Sequence, residues 1–177
     1  MKQEQIKAEQ MKLFILSELV KNNTNPYELY RILKGNLLSK FVSITEGQFY
    51  YNVDSLVKKE FIKKSKIVKT ENRPDKKIYA ITENGISFFE KSIYSSFENA
   101  NQVDDLFMTI FLVRHVDKEK IIRIFDERLK ELRADLKKLE IKLNENDLED
   151  NQMTSYLLRK RRFNLTELEK IYENLIL

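Results

Sequence analysis

Seven cations fall between residues 63 and 77: Lys63, Lys64, Lys66, Lys69, Arg73, Lys76 and Lys77, opposed only by Glu71 and Asp75. Ammonium and guanidinium groups at this density suit a row of phosphates, where each contact releases a condensed counterion. A solvated edge strand is the plainer reading, because Lys on an edge blocks pairing with other chains. A second set is polar: Ser43, Thr45, Gln48, Tyr50, Tyr51, Ser55 and Lys58. Such groups near a helix start can contact phosphates and base edges, or simply cap the helix. Tyr51 lies opposite the apolar side of its segment, whereas Tyr50 flanks that side and can pack instead. Arg159-Lys160-Arg161-Arg162 is the densest charge run. It fits DNA or an acidic partner, but Asp147, Glu149 and Asp150 close by make a solvated helix face the reading adopted.

Catalysis needs a converging nucleophile and base or a metal, and the chain offers neither. It has no Cys and one His, His115, so thiol chemistry, disulfides and multi-ligand His or Cys metal sites are excluded. Adjacent carboxylates such as Asp104-Asp105 and Glu149-Asp150 do not share a helix face. No catalytic residue, metal or cofactor is therefore expected, and His115 reads as structural.

The elements that must position these groups follow from pattern. The 177 residues carry 42% apolar residues, enough for a core, and only three Gly and two Pro. Average usage would be roughly 12% for that pair, so long helices are favoured over a sandwich or a Gly-cradled nucleotide site. All five breakers precede residue 86. The net charge of +4 hides an asymmetry: residues 1–95 hold 17 Lys/Arg against 11 Asp/Glu, and residues 96–177 hold 15 against 17. The first half therefore suits polyanions better. No run approaches the roughly 18 apolar residues of a membrane span. Leu13–Leu16 is too short for a signal-peptide core, so a cytoplasmic location is expected.

Periodicity predicts a helix over residues 3–21, then a break at Asn22–Pro26. Thr24 or Asn25 can cap a second helix that ends near Gly35-Asn36. Overlapping capping boxes, Ser43…Glu46 and Thr45…Gln48, open a third. It places Phe49, Val53, Leu56 and Val57 on one face, with Gln48, Tyr51, Ser55 and Lys58 opposite. Phe61–Lys69 and Lys76–Thr82 around a polar turn predict a β-hairpin. Thr82 or Glu83 starts another helix through Phe88, Phe89, Ile93 and Phe97. Leu106, Phe107, Ile110, Phe111 and Val113 predict a short apolar helix, with Asp117 capping the next one. There Ile122, Phe125, Leu129, Leu132, Leu136, Leu139 and Leu143 form a heptad seam. After a turn at Asn144–Asp147, Leu158, Leu165, Leu168, Tyr172 and Leu175 make a compatible face, interrupted by Arg161. The fold class is mostly α with a small β-hairpin: a winged helix-turn-helix domain over 1–97 and an antiparallel helical hairpin over 98–177.

The first 95 residues resemble the PadR family of bacterial transcriptional regulators. ILSELVKNNTNPYELYRIL (Ile15–Leu33) is similar to that family's opening helix and "GYEL"-type second helix. GQFYYNVDSLVKKEFI (Gly47–Ile62) resembles its "GTLYPALHRLEREGLI" pattern, and RPDKKIYAITENG (Arg73–Gly85) its "RPRKYYRLTEAG" wing. The chain departs from the family at Pro26, Gln48, Tyr51, Asp54 and Glu60, so an operator sequence does not transfer. Asp54 would repel phosphates locally, or accept from a cytosine amine. Without Trp, the stacked-tryptophan pocket of some multidrug-sensing relatives cannot form. Phe88, Phe89, Phe97, Phe107 and Phe111 read as core, and a small-molecule effector stays open.

The expected partners are double-stranded DNA and a second copy of the chain. The resemblance implies a repressor with residues 45–59 in the major groove and the 63–77 hairpin on the phosphate backbone or minor groove. DNA contacts are expected from Ser43, Thr45, Gln48, Tyr50, Tyr51, Ser55, Lys58, Lys69, Arg73, Lys76 and Lys77. Dimerisation is expected from Ile122, Phe125, Leu129, Leu132, Leu136, Leu139, Leu165, Leu168, Tyr172 and Leu175. Two-fold symmetry then asks for a near-palindrome with half-sites about 10 bp apart. A mobile-element replication or partition protein, or a protein-interaction module using the heptad helices, are the alternatives.

Overall fold

The computed structural model describes residues 2–35, 45–68, 76–144 and 152–177, with the side chains of the first helix from Ala8 onward. Two compact units divide at Ser92/Ile93, inside one helix. Helix α1 (Lys2–Lys21) is the centre of the first unit. Met11, Leu13, Phe14, Ile15, Leu16 and Leu19 are all buried. Ser17, buried among them, is satisfied because its hydroxyl donates to the Phe14 carbonyl at 2.7 Å.

Helix α2 (Pro26–Gly35) begins at Pro26, whose missing N–H costs nothing in a first turn. Asn25 is its cap: its Oδ1 accepts from the Glu28 N–H at 3.1 Å. Thr24 has another use, exchanging backbone hydrogen bonds with Tyr79 at 3.2 and 2.8 Å. Helix α3 (Glu46–Lys58) opens with the Thr45–Gln48 capping box, in which both reciprocal bonds form. The Ser43 half of the expected overlap lies outside the described residues. Phe49, Val53 and Leu56 are buried as the spacing requires, and Asn52 joins them.

Strands β1 (Ile62–Val68) and β2 (Lys76–Ile81) pair antiparallel, from Ile62 opposite Ile81 to Val68 opposite Lys76. The register shifts between Lys64 and Lys66, and the Ser65 hydroxyl donates to the Ile78 carbonyl at 3.3 Å. Only Ile62 of β1 is buried, so the partial alternation reflects a strand with almost no core face. The Thr24 bridge lies against β2, giving the hairpin a one-residue third strand that no periodicity announces.

Helix α4 (Glu83–Glu98) is capped by Thr82, whose Oγ1 accepts from the Gly85 N–H at 3.0 Å. That hydroxyl donates to the Glu60 carbonyl at 2.7 Å, tying the end of α3 to the start of α4. Phe61 and Phe88 stack beneath this junction at 4.4 Å.

In the second unit, the stretch expected as one short apolar helix is two 3-10 segments, Val103–Leu106 and Thr109–His115. Local hydrogen bonds draw the turn tight. Asp105 accepts from the Asn101 and Gln102 N–H groups at 2.9 and 3.1 Å, and the Thr109 hydroxyl donates to the Leu106 carbonyl at 3.2 Å. Helices α5 (Lys118–Asn144) and α6 (Gln152–Ile176) then pack on each other. Asn144 ends α5 rather than starting a turn, and 145–151 lie outside the described residues. Asp117 caps α5, accepting from the Lys120 N–H at 3.1 Å.

The buried seam of α5 begins at Ile121, not Ile122. In a straight helix, four residues before Phe125 points about 40° off its direction and three residues before about 60° off, so Ile121 is nearer the seam. Phe97, Phe125 and Tyr172 form a chain of edge-on rings at 5.2 and 6.1 Å. Arg133–Glu169 at 2.7 Å and Arg162–Glu140 at 2.8 Å cross between α5 and α6.

Candidate nucleic-acid interface

The sequence places α3 so that its apolar face is consumed by the core, and its other side is left to solvent. Tyr51 is 73% exposed, Gln48, Asp54 and Lys58 are exposed, and Ser55 is half-buried. At spacings of three and four residues these groups make one outward stripe two turns long. Thr45 and Gln48 are partly occupied. The Gln48 N–H donates to Thr45 Oγ1 at 3.2 Å, and the Thr45 N–H donates to Gln48 Oε1 at 3.0 Å. A base contact from Gln48 Oε1 would have to break the cap, so the outward reach of the stripe rests on Tyr51, Asp54, Ser55 and Lys58.

Tyr50 packs. It is half-buried, edge-on to Phe49 at 5.7 Å and 6.5 Å from the Tyr30 ring. Burial pushes its phenol pKa upward, with Glu46 and the tyrosines Tyr30 and Tyr27 adding to the effect. Tyr27, at the first turn of α2, is 61% exposed. Its exposure beside Tyr50 adds a phenol to the surface next to α3.

Lys63, Lys64 and Lys66 on β1, and Lys76 and Lys77 on β2, are all exposed and unpaired by any carboxylate among the described residues. Ser43, Lys69 and Arg73 lie outside the described residues. The hairpin is thus a cationic arm anchored by Ile62 at its base and by Ile78 midway along β2.

The residues expected to dimerise take several places. Phe125, Leu129 and Leu168 are fully buried, and Leu132 and Leu175 nearly so, all within the second unit. Ile122, Leu136, Leu139, Leu165 and Tyr172 are half-buried. The heptad seam of α5 is therefore largely filled by the chain's own α6. Exposed apolar side chains remain elsewhere: Met153, Tyr156, Leu157 and Phe163 on α6, and Ile141 on α5. Of the basic run on α6, Arg162 pairs with Glu140, while Arg159, Lys160 and Arg161 are exposed. His115 accepts from Arg114 Nε at 3.2 Å, consistent with a structural imidazole. No helix among the described residues is long and apolar enough to cross a membrane.

A capped helix with a polar outward stripe, a preceding helix packed on it, and a basic two-strand arm define a winged helix-turn-helix DNA-binding module. Residues 15–91 match the Transcriptional regulator PadR-like family, and that span is PadR-like. It is a DNA-binding transcriptional regulator, from a family of regulators rather than enzymes. Among solved structures it is similar to Bacillus subtilis PadR in complex with operator DNA, at 18% identity and a TM-score of 0.41, over 93% of this chain and 98% of that one. A Streptococcus mutans UA159 protein is 25% identical with a TM-score of 0.41, over 93% and 95%. A PadR-like regulator from Bacillus cereus is 20% identical with a TM-score of 0.39, over 93% and 94%. No curated protein matches the chain.

Proposed function

We propose that this regulator is a repressor that binds a near-palindromic operator as a homodimer. Residues 45–59 enter the major groove and the 63–77 hairpin lies on the phosphate backbone or in the minor groove. The observation that carries this reading is the outward stripe of Tyr51, Asp54, Ser55 and Lys58 beside the exposed cations of β1 and β2. Base readout and phosphate neutralisation are then served by adjacent elements. We take residues 1–97 as the DNA-binding domain and 98–177 as the dimerisation domain. Support for the second role is the apolar surface left on α6 after its seam with α5 is filled.

Selection of bound DNA from a random pool tests this reading. The expected product is a two-fold motif with half-sites about 10 bp apart, or a multiple of that. Footprinting on the upstream region of the protein's own gene should show protection that overlaps the promoter. A pool with no enriched motif at low salt would sink sequence-specific binding. An asymmetric single site would sink the homodimer.

A further inference from the structure

We propose that Asp54 reads a cytosine in each operator half-site, an inference that rests on the DNA-binding reading above. Asp54 is exposed at the middle of the outward stripe of α3, three residues after Tyr51 and four before Lys58. It makes no hydrogen bond or ion pair among the described residues, so both carboxylate oxygens are available. Gln48 Oε1, the carbonyl acceptor near the stripe, is committed to the Thr45 N–H, and the Tyr51 and Ser55 hydroxyls can donate as well as accept. Asp54 is thus the acceptor-only group of the stripe, set along it between Tyr51 and Lys58.

Only two bases offer a donor in the major groove: adenine through N6 and cytosine through N4. Adenine sets the N7 lone pair beside its N6 amine, and an acceptor-only carboxylate is repelled there. Cytosine presents its amine without a neighbouring acceptor on the same base. The guanine across the pair presents O6 and N7, which suit Lys58 one turn further along α3. The same ammonium offsets the repulsion between Asp54 and the phosphates. A carboxylate that would otherwise only weaken binding becomes a base-specific contact.

Random-pool selection with the wild-type chain, Asp54→Asn and Asp54→Ala tests this. The wild type should enrich cytosine at one fixed position in each half-site, by roughly tenfold over the other bases. Asp54→Asn should move the preference at that position to adenine, because an amide both accepts and donates. Asp54→Ala should leave the position unselected, with the remaining motif intact in both variants. Both variants should bind DNA lacking the motif more tightly than the wild type, since a charge that repels phosphate is gone. An identical motif from all three proteins overturns the proposal while leaving the DNA-binding reading in place. No motif from the wild type overturns that reading, and this inference with it.

Discussion

Glu60 holds a left-handed backbone, φ 57°, at the end of α3. The local hydrogen bonds demand it: the Glu60 N–H donates to the Val57 carbonyl at 2.9 Å and the Phe61 N–H to the Leu56 carbonyl at 3.0 Å. This is the Schellman closure, which glycine fills without a Cβ clash. A non-glycine residue pays about 1–2 kcal/mol there, partly recovered through a less flexible unfolded chain. Glu60→Gly should therefore stabilise by about 0.5–1 kcal/mol, read as a higher urea midpoint at unchanged slope. Gly85 shows the reverse. A Cβ there would fall on the Phe61 carbonyl and press on the Ile81 side chain. Because the obstacle is backbone, Gly85→Ala should cost about 1–3 kcal/mol or more, visible as a lower melting temperature. The sequence contained both residues but not their consequences. Family likeness marked Glu60 as a departure, whereas its cost needed the dihedral angle.

At the scale of elements, α1 meets α3 at a charged point. Lys12 has its pKa lowered, first by burial and then by Lys59. A cation with a lowered folded pKa binds its proton more weakly than in the unfolded chain, so its penalty is present at neutral pH. It is relieved as pH rises through the folded value toward 10.5. Lys12→Met should thus raise stability at pH 7, with a gain that shrinks toward pH 10.5, as urea titrations at several pH values would show. The hairpin carries a different prediction. If Lys76 and Lys77 each neutralise a phosphate, replacing both by Gln should lower the log–log salt slope by about 1.8, from about 0.9 per contact. An unchanged slope would mark them as edge-protecting residues only.

The elements of the first unit were legible because their punctuation is chemical: Pro26, the Thr45–Gln48 box and Thr82 each set a boundary. The Thr24 bridge was not, since one residue has no periodicity. The 3-10 segments were missed because apolar content alone does not distinguish i+3 from i+4 bonding. On the candidate interface, spacing separated the outward face of α3 from its core face. It did not show that Gln48 spends its oxygen on a cap, or that Tyr50 packs beside Tyr30.

For the whole molecule, the question is where a second copy would sit. A strict heptad seam on α5 invites an intermolecular coiled coil, yet Phe125, Leu129 and Leu168 have no surface left to offer. Beside scattered exposed groups at Phe111, Ile141 and Ile176, the densest apolar patch lies on α6 from Met153 to Phe163, a stretch of about 15 Å at 1.5 Å per residue. A two-fold axis uses such a patch twice, and residues nearest the axis meet their own copies. Lys160 and Arg161 would repel themselves there, so the axis should pass nearer Tyr156 and Leu157 than the basic run. Leu157→Glu should then weaken the proposed homodimer more than Phe163→Glu, by placing like charges against each other in a drying interface. Sedimentation velocity at micromolar concentration checks the order: monomer for the first variant, a shifted equilibrium for the second. Half-site binding by the monomer should persist while affinity for the full operator falls by roughly 10²–10⁴, the avidity that linking two sites supplies. A Leu157→Glu protein that stays dimeric would move the axis elsewhere on the chain.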